Sequence, residues 1–171
     1  MSLNQSNSSI PSVFGSFSHS LDQVFVAGVT SPILFDTNGE SFGIVHSETV
    51  EPEHFFFSKT GVYVAIIDTS LTRLAGGGVD VVNIHPSINS GSGFVPVPNS
   101  NRKITVDSTG RLLAPSTPSV FRVNALTDVI GFHIQVEDAN LILPSFPAEG
   151  LSPNELPATP SAILTLIRVG E

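Results

Sequence analysis

His54-Phe55-Phe56-Phe57-Ser58-Lys59-Thr60-Gly61-Val62-Tyr63-Val64-Ala65-Ile66-Ile67-Asp68 decides how the rest of the chain is read. The segment is a strand, a tight turn over Ser58 to Gly61, and a second strand. A half-buried strand alternates apolar and polar side chains. Here Val62, Val64 and Ile66 line one face and Tyr63, Ala65 and Ile67 the other, so both faces call for cover. A second sheet of the same domain covers one of them. The other requires a surface that a single small domain does not supply.

The 171 residues suit one domain. Gly 14 and Pro 13, with no long amphipathic run of Glu, Lys and Ala, point to a turn-rich all-β chain in which helix is scarce. Charged residues make up 13%, against about 25% in ordinary soluble domains, which implies that part of the surface is covered in use. The 7 Lys plus Arg are scattered and face 15 Asp plus Glu, for a net charge of −8, so a nucleic-acid partner is not expected. With no cysteine there is no disulfide frame and no thiolate chemistry. Met1 to Ser9 lacks a cationic and an apolar leader region, and no run of about eighteen residues is wholly apolar; synthesis in a cytoplasm and no membrane partner are expected.

Outward from the hairpin, residues 1–12 are rich in Ser and Asn and read as an N-terminal arm before a domain over 13–171. Short β-like runs follow at Val13-Phe14, Phe17 to His19, Val24 to Ala27 and Ile33 to Phe35. Asp36-Thr37-Asn38-Gly39 reads as a tight turn and Phe42 to His46 as a strand. Beyond the hairpin, Arg73 to Gly78 reads as a flexible connection, Val79 to His85 as a strand ending at Pro86, and Ser87 to Gly93 as a loop. Phe94 to Pro98 reads as an edge, with short runs at Lys103 to Val106 and Arg111 to Leu113 around a turn at Asp107 to Gly110. Val120 to Leu126 and Ile130 to Val136 alternate cleanly, with Phe121, Val123, Ala125, Ile130, Phe132, Ile134 and Val136 toward the core. A short strand at Asn140 to Leu143 leads into a Pro-rich surface loop over 144–160, and Ser161 to Val169 repeats the doubly apolar signature. About eight to ten short strands with no internal repeat argue for one sandwich of jelly-roll type.

Gly61-Val62-Tyr63-Val64, placed after a β-run and a turn, resembles the Gly-x-Tyr strand of the tumour-necrosis-factor-like and complement-globular-head jelly rolls. Ala162-Ile163-Leu164-Thr165-Leu166-Ile167-Arg168-Val169 is similar to the final strand of bacterial and phage members of that superfamily, and Pro32-Ile33-Leu34-Phe35-Asp36 to its second strand. The resemblance runs in order from residue 15 to 169. It implies an all-β, TNF-like jelly roll of about ten antiparallel strands that forms a homotrimer, with the Gly-x-Tyr strand and the final strand adjacent in the trimer-facing sheet. Many bacterial relatives sit on a collagen-like stalk, and no Gly-x-y run is present here; the resemblance therefore points to free-standing virion parts such as capsid decoration proteins, head fibres and spikes. The expected trimer contact comprises Val62, Val64, Ile66, His133, Leu164 and Leu166, so that Leu166→Asp would dissociate it.

Little in the sequence points to chemistry. His19, His46, His54, His85 and His133 form neither the His-x-His and Glu pattern of metal-binding cupins nor a His-Glu-x-x-His helix. His54 beside Glu51 and Glu53 has the makings of a metal or pH-sensitive cluster, although a loop-edge histidine is the favoured reading. Asp36-x-Asn38-Gly39 lacks the later acids of a calcium loop, and Gly91-Ser92-Gly93 lacks the full nucleophile-elbow spacing. Nothing pairs Asp68, Asp80, Glu137 and Asp138 as glycosidase carboxylates. No catalytic residue, cofactor or metal is expected. The expected function is a non-enzymatic structural protein on a virus surface, with a bacteriophage as the expected virus, acting as a decoration or cement protein or a spike. Its partners would be itself and the major capsid protein or another virion component. The alternative is a module that recognises a host-surface glycan or receptor.

Overall fold

The apolar run after Gly61 becomes one 13-residue strand, and the rest of the chain is paired around it. The computed structural model describes residues 13–76, 79–106, 110–148 and 158–171, with the side chains of residues 110–115 and 117 outside that description. The expected arm over 1–12, the end of the glycine connection at 77–78, the turn residues 107–109 and the middle of the Pro-rich loop at 149–157 lie outside the described residues. Among the described residues every regular element is a strand: β1 (Phe14–His19), β2 (Gln23–Val24), β3 (Thr30–Pro32), β4 (Thr37–Phe42), β5 (Ile44–His46), β6 (Phe55–Phe57), β7 (Gly61–Arg73), β8 (Asp80–Asn89), β9 (Phe94–Pro96), β10 (Arg102–Val106), β11 (Gly110–Val123), β12 (Val129–Val136), β13 (Leu141–Leu143) and β14 (Ala162–Gly170).

These make two seven-stranded antiparallel sheets of a jelly-roll sandwich. In the first, β11 runs along one edge of β7, while β14 and then β13 share the other edge. β1 and β4 continue beyond β14, and β2 beyond β13. The Gly-x-Tyr strand and the final strand are thus neighbours, with Leu164 opposite Ile67 and Ile167 opposite Val64. In the second sheet β12 pairs β8 on one edge and β6 and β3 on the other, with β10 and β9 beyond β8 and β5 beyond β6.

The period-two pattern decides which side chains fill the space between the sheets. Phe17, Tyr63, Ala65, Ile67, Phe121, Leu164 and Leu166 come from the first sheet, and Phe55, Phe57, Ile84, Ile130, Phe132 and Ile134 from the second. Phe55 is the hub. Its ring meets Phe17 at 4.8 Å, Phe35 at 5.4 Å and Phe132 at 6.0 Å edge-on, and stacks on the His46 imidazole at 4.7 Å. Such edge-on contacts add about 0.5–1.5 kcal/mol each beyond area burial. At one end, the buried Arg73 guanidinium meets Asp80 and ties β7 of one sheet to β8 of the other.

The Gly-x-Tyr pair has a local cause. Gly61 sits at φ 138°, and a Cβ there would stand 2.3 Å from the Gly170 carbonyl oxygen and 2.8 Å from Arg168 Nε. The end of β14 therefore closes on a residue that must lack a side chain, and Arg168 Nε donates to the Thr60 carbonyl at 2.9 Å. Tyr63 buries its ring between Phe57 and Phe121 and donates its hydroxyl back to the Lys59 carbonyl at 2.7 Å. Turn, glycine and tyrosine act as one corner.

Long-range pairing overrides several local signals. Thr37 to Gly39 is not a turn but the start of β4, held against β1; the chain bends instead at Gly43, φ 73°, whose carbonyl accepts from the Ser58 amide. β8 continues through Pro86 to Asn89 because β12 pairs it along that whole length. Arg111–Leu113 and Val120–Val123 belong to one strand, β11, with a register shift between Ala114 and Thr117. Ala125 is exposed rather than in the core, since Asp128 accepts from the Asn124 and Ala125 amides and turns the chain there. Gly61→Ala is expected to lower the unfolding free energy by about 1–3 kcal/mol in chemical denaturation, with a larger loss than Gly28→Ala, whose Cβ meets nothing.

Candidate functional site

The outward face of the β7 sheet carries the feature that the sequence anticipated. Register partners Phe42, Phe14, Ile167, Val64 and Val120 form one line across β4, β1, β14, β7 and β11. All five point away from the sandwich core, with Phe42 62% and Val120 58% exposed. Ile66 beside Thr165 and Pro118 widens the strip on one side, and Val62 beside Arg122 on the other. Next along the strands, Ile163 pairs Asp68, whose carboxylate accepts from Ser116, and Ser18 completes a polar border. A continuous apolar strip rimmed by polar groups is the usual form of an interaction surface.

The structure brings Val62, Val64 and Ile66 together on this face and places the other expected contact residues elsewhere. Leu164 and Leu166 are 0% exposed and fill the space between the sheets. The cause is register: they oppose Ile67 and Ala65, which face inward, so Ile163, Thr165 and Ile167 are the outward residues of β14. His133 belongs to β12 in the second sheet, on the outer face of the sandwich. Sequence reading missed Phe14, Phe42 and Val120, because only the pairing of β1, β4 and β11 aligns them with Val64.

His133 lies instead in a cluster of its own. Its ring stacks on His85 of β8 at 5.9 Å and meets Phe94 of β9 at 5.1 Å, and Phe94 in turn meets His54 at 5.1 Å. Gly131 makes room for this, since a Cβ there would come within 3.0 Å of the Phe94 ring. Glu51 and Glu53 do approach His54, at 3.2 and 3.9 Å. Burial lowers the His133 pKa to about 4, helped by repulsion from His85 and then His54. In the core, burial also lowers the His19 pKa, against the pull of Asp36 at 3.6 Å. His46 is held by Asn38 Oδ1 at 2.7 Å and the Pro52 carbonyl at 2.9 Å.

The carboxylates are dispersed among structural tasks. Asp80 meets Arg73, Glu137 accepts from the Val81 amide at 2.8 Å, Asp138 caps Asn140, and Asp68 holds Ser116. Burial alone would raise the Asp36 pKa, but hydrogen bonds from Ser20 and Thr37, with His19 nearby, bring it below the usual range. Among the described residues no group of three or more His, Cys, Asp or Glu is placed to hold a metal ion.

No protein-family model and no curated protein matches the chain. Solved structures do. The crystal structure of murine APRIL at pH 8.0 superposes with a TM-score of 0.55 over 92% of this chain and 98% of that one, at 11% identity. The structure of Eiger TNF from S. frugiperda gives a TM-score of 0.61 over 95% of each chain, at 10% identity. These likenesses establish a TNF-like jelly-roll fold. Because Leu166 is a core residue, Leu166→Asp is expected to cost several kcal/mol and to abolish the cooperative unfolding transition of the single chain, in contrast to a surface substitution at neighbouring Thr165.

Proposed function

We propose that the protein is a non-enzymatic, self-associating structural protein, a jelly-roll homotrimer whose chains meet through the outward face of the β7 sheet. The observation that carries this reading is the apolar line Phe42–Phe14–Ile167–Val64–Val120. Each such side chain contributes about 1.5–3 kcal/mol when fully buried, which a lone chain forgoes at every exposed position. The low charge content supports the same reading. The place of action proposed is the surface of a virion, most simply a bacteriophage, as a decoration protein or spike attached to the major capsid protein or another virion component. Antibody labelling of particles from cells carrying the gene tests that placement: label on particle surfaces is expected, and label confined to soluble fractions contradicts it.

Recognition of a host glycan or receptor is the second reading, and one observation favours it. A concavity of about 410 Å³ lies between the Pro98–Arg102 loop and Pro118–Val120 of β11, lined by Asn99, Ser100, Asn101, Ser119 and the Arg102 side chain. Its volume is that of a small-ligand site, and its lining mixes these polar groups with Pro98, Pro118 and Val120 as a sugar ring with polar edges and apolar faces would require; purified protein binding an immobilised glycan without any capsid would support it.

The self-association claim has a direct test. Sedimentation at micromolar concentration should give a species of three chains of 18.0 kDa each. Val64→Asp and Ile167→Asp should move it to a folded monomer, because a buried unpaired carboxylate costs several kcal/mol per interface. A wild-type monomer, or variants that remain trimeric, would overturn the reading.

A further inference from the structure

The outer face of the second sheet carries a set of groups that the assembly face does not use. Three histidines from three segments converge there: His133 of β12, His85 of β8, and His54 just before β6. Phe94 of β9 is the cover. Its ring lies over the bare backbone of Gly131 and touches both His133 and His54. β9 itself is short, three residues paired only with β8, and it is followed by Val97, which with Ile88 packs partly buried against the core. The segment is thus held by the short ladder with β8, by the Val97 amide donating to the Pro86 carbonyl at 3.0 Å, and by the contacts of the Phe94 ring with His133 and His54.

The His133 ring is poorly placed to carry charge. Its Nδ1 is buried and has no hydrogen-bond partner, and among the described residues the ion pairs of histidine with a carboxylate are those of His19 and His54, not of His133. The groups that face it are His85 from β8, Phe94 from β9, His54 from the loop before β6, and Pro32 of β3 in register. His85 Nδ1 is already engaged with Ser87 Oγ at 3.2 Å, and the carboxylates of Glu51 and Glu53 are directed at His54. A proton on His133 would therefore sit between two other imidazoles, against an aromatic ring and away from water.

We propose that the His85–His133–Phe94 stack is an acid-released latch: protonation of His133 lifts the Phe94 ring, frees β9 from the edge of β8 and opens the margin of the core where Ile88 and Val97 pack. The closed latch keeps His133 neutral to about pH 4, whereas the released side chain titrates near its ordinary 6.5. The released form therefore binds more protons between those values, so the latch is at full strength above pH 6.5 and weakens as the pH falls toward 4. The linkage amounts to an about 30-fold increase in the opening equilibrium between pH 8 and pH 5. The consequence is that apolar core surface at Ile88, which pairs the inward Ile130, and at Val97 is opened at the β8 edge of the sandwich only in acid.

Hydrogen exchange of the full-length protein, corrected for the intrinsic pH dependence of exchange, reads the latch directly. The amides of Phe94, Val95 and Val97 should lose protection by about 30-fold from pH 8 to pH 5, while β7 and β14 keep theirs. His133→Phe keeps the stack and removes the proton site, so its protection should not change with pH. Phe94→Ala provides an independent readout by NMR titration of the histidine rings: without the cover, the His133 midpoint should rise from about 4 toward 6.5. Wild-type protection that is constant across this range, a His133→Phe variant that opens as the wild type does, or an unmoved His133 midpoint in Phe94→Ala would each overturn the proposal.

Discussion

Strand β7 is hydrogen-bonded along both edges and, from Val62 to Ile67, apolar on both faces, and the rest of the structure follows from satisfying it. β11 takes one edge over its full length, and β14 with β13 takes the other. The inward face is met by the second sheet through Tyr63, Ala65, Ile67 and Leu71, all buried. No element of the same chain among the described residues lies over the outward face. A lone jelly roll therefore satisfies three of the four demands that this strand makes, and the fourth is the physical basis for the proposed self-association.

The corner at Gly61 shows how tightly the local sequence is bound to this arrangement. The glycine admits the end of β14, Arg168 fastens that end to the turn, and Tyr63 anchors the strand in the core through ring and hydroxyl together. A resemblance confined to a few residues was informative because those residues have coupled steric tasks. The whole-fold likeness to APRIL and Eiger at 10–11% identity fits the same view. The fold is shared although about nine residues in ten differ.

The sandwich was legible in the sequence wherever one face alternates, as in Phe121 to Val123 and Ile130 to Val136. Where both faces are apolar, period alone leaves the direction of each side chain open, and a one-residue choice reverses the whole strand. β14 is the case in point: Leu164 and Leu166 look outward on composition and are inward by pairing with Ile67 and Ala65. His133 was misplaced for a different reason, since alternation reports the face of a strand but not the sheet that the strand joins. The turn expected at Asn38-Gly39 failed because β1 offers that segment a ladder, and a local preference worth less than about 1 kcal/mol yields to it.

The central claim is that a second copy of the chain covers the outward face of the β7 sheet, and thiol accessibility measures that cover. The natural chain has no cysteine, so a single cysteine reports one position without background. Val120 on this face and Val45 on the other sheet are almost equally open in the single chain, 58% and 66% exposed. At micromolar protein, Val120→Cys should react with a charged maleimide at least about tenfold more slowly than Val45→Cys, as burial in an interface requires. Equal rates at the two positions would contradict the account.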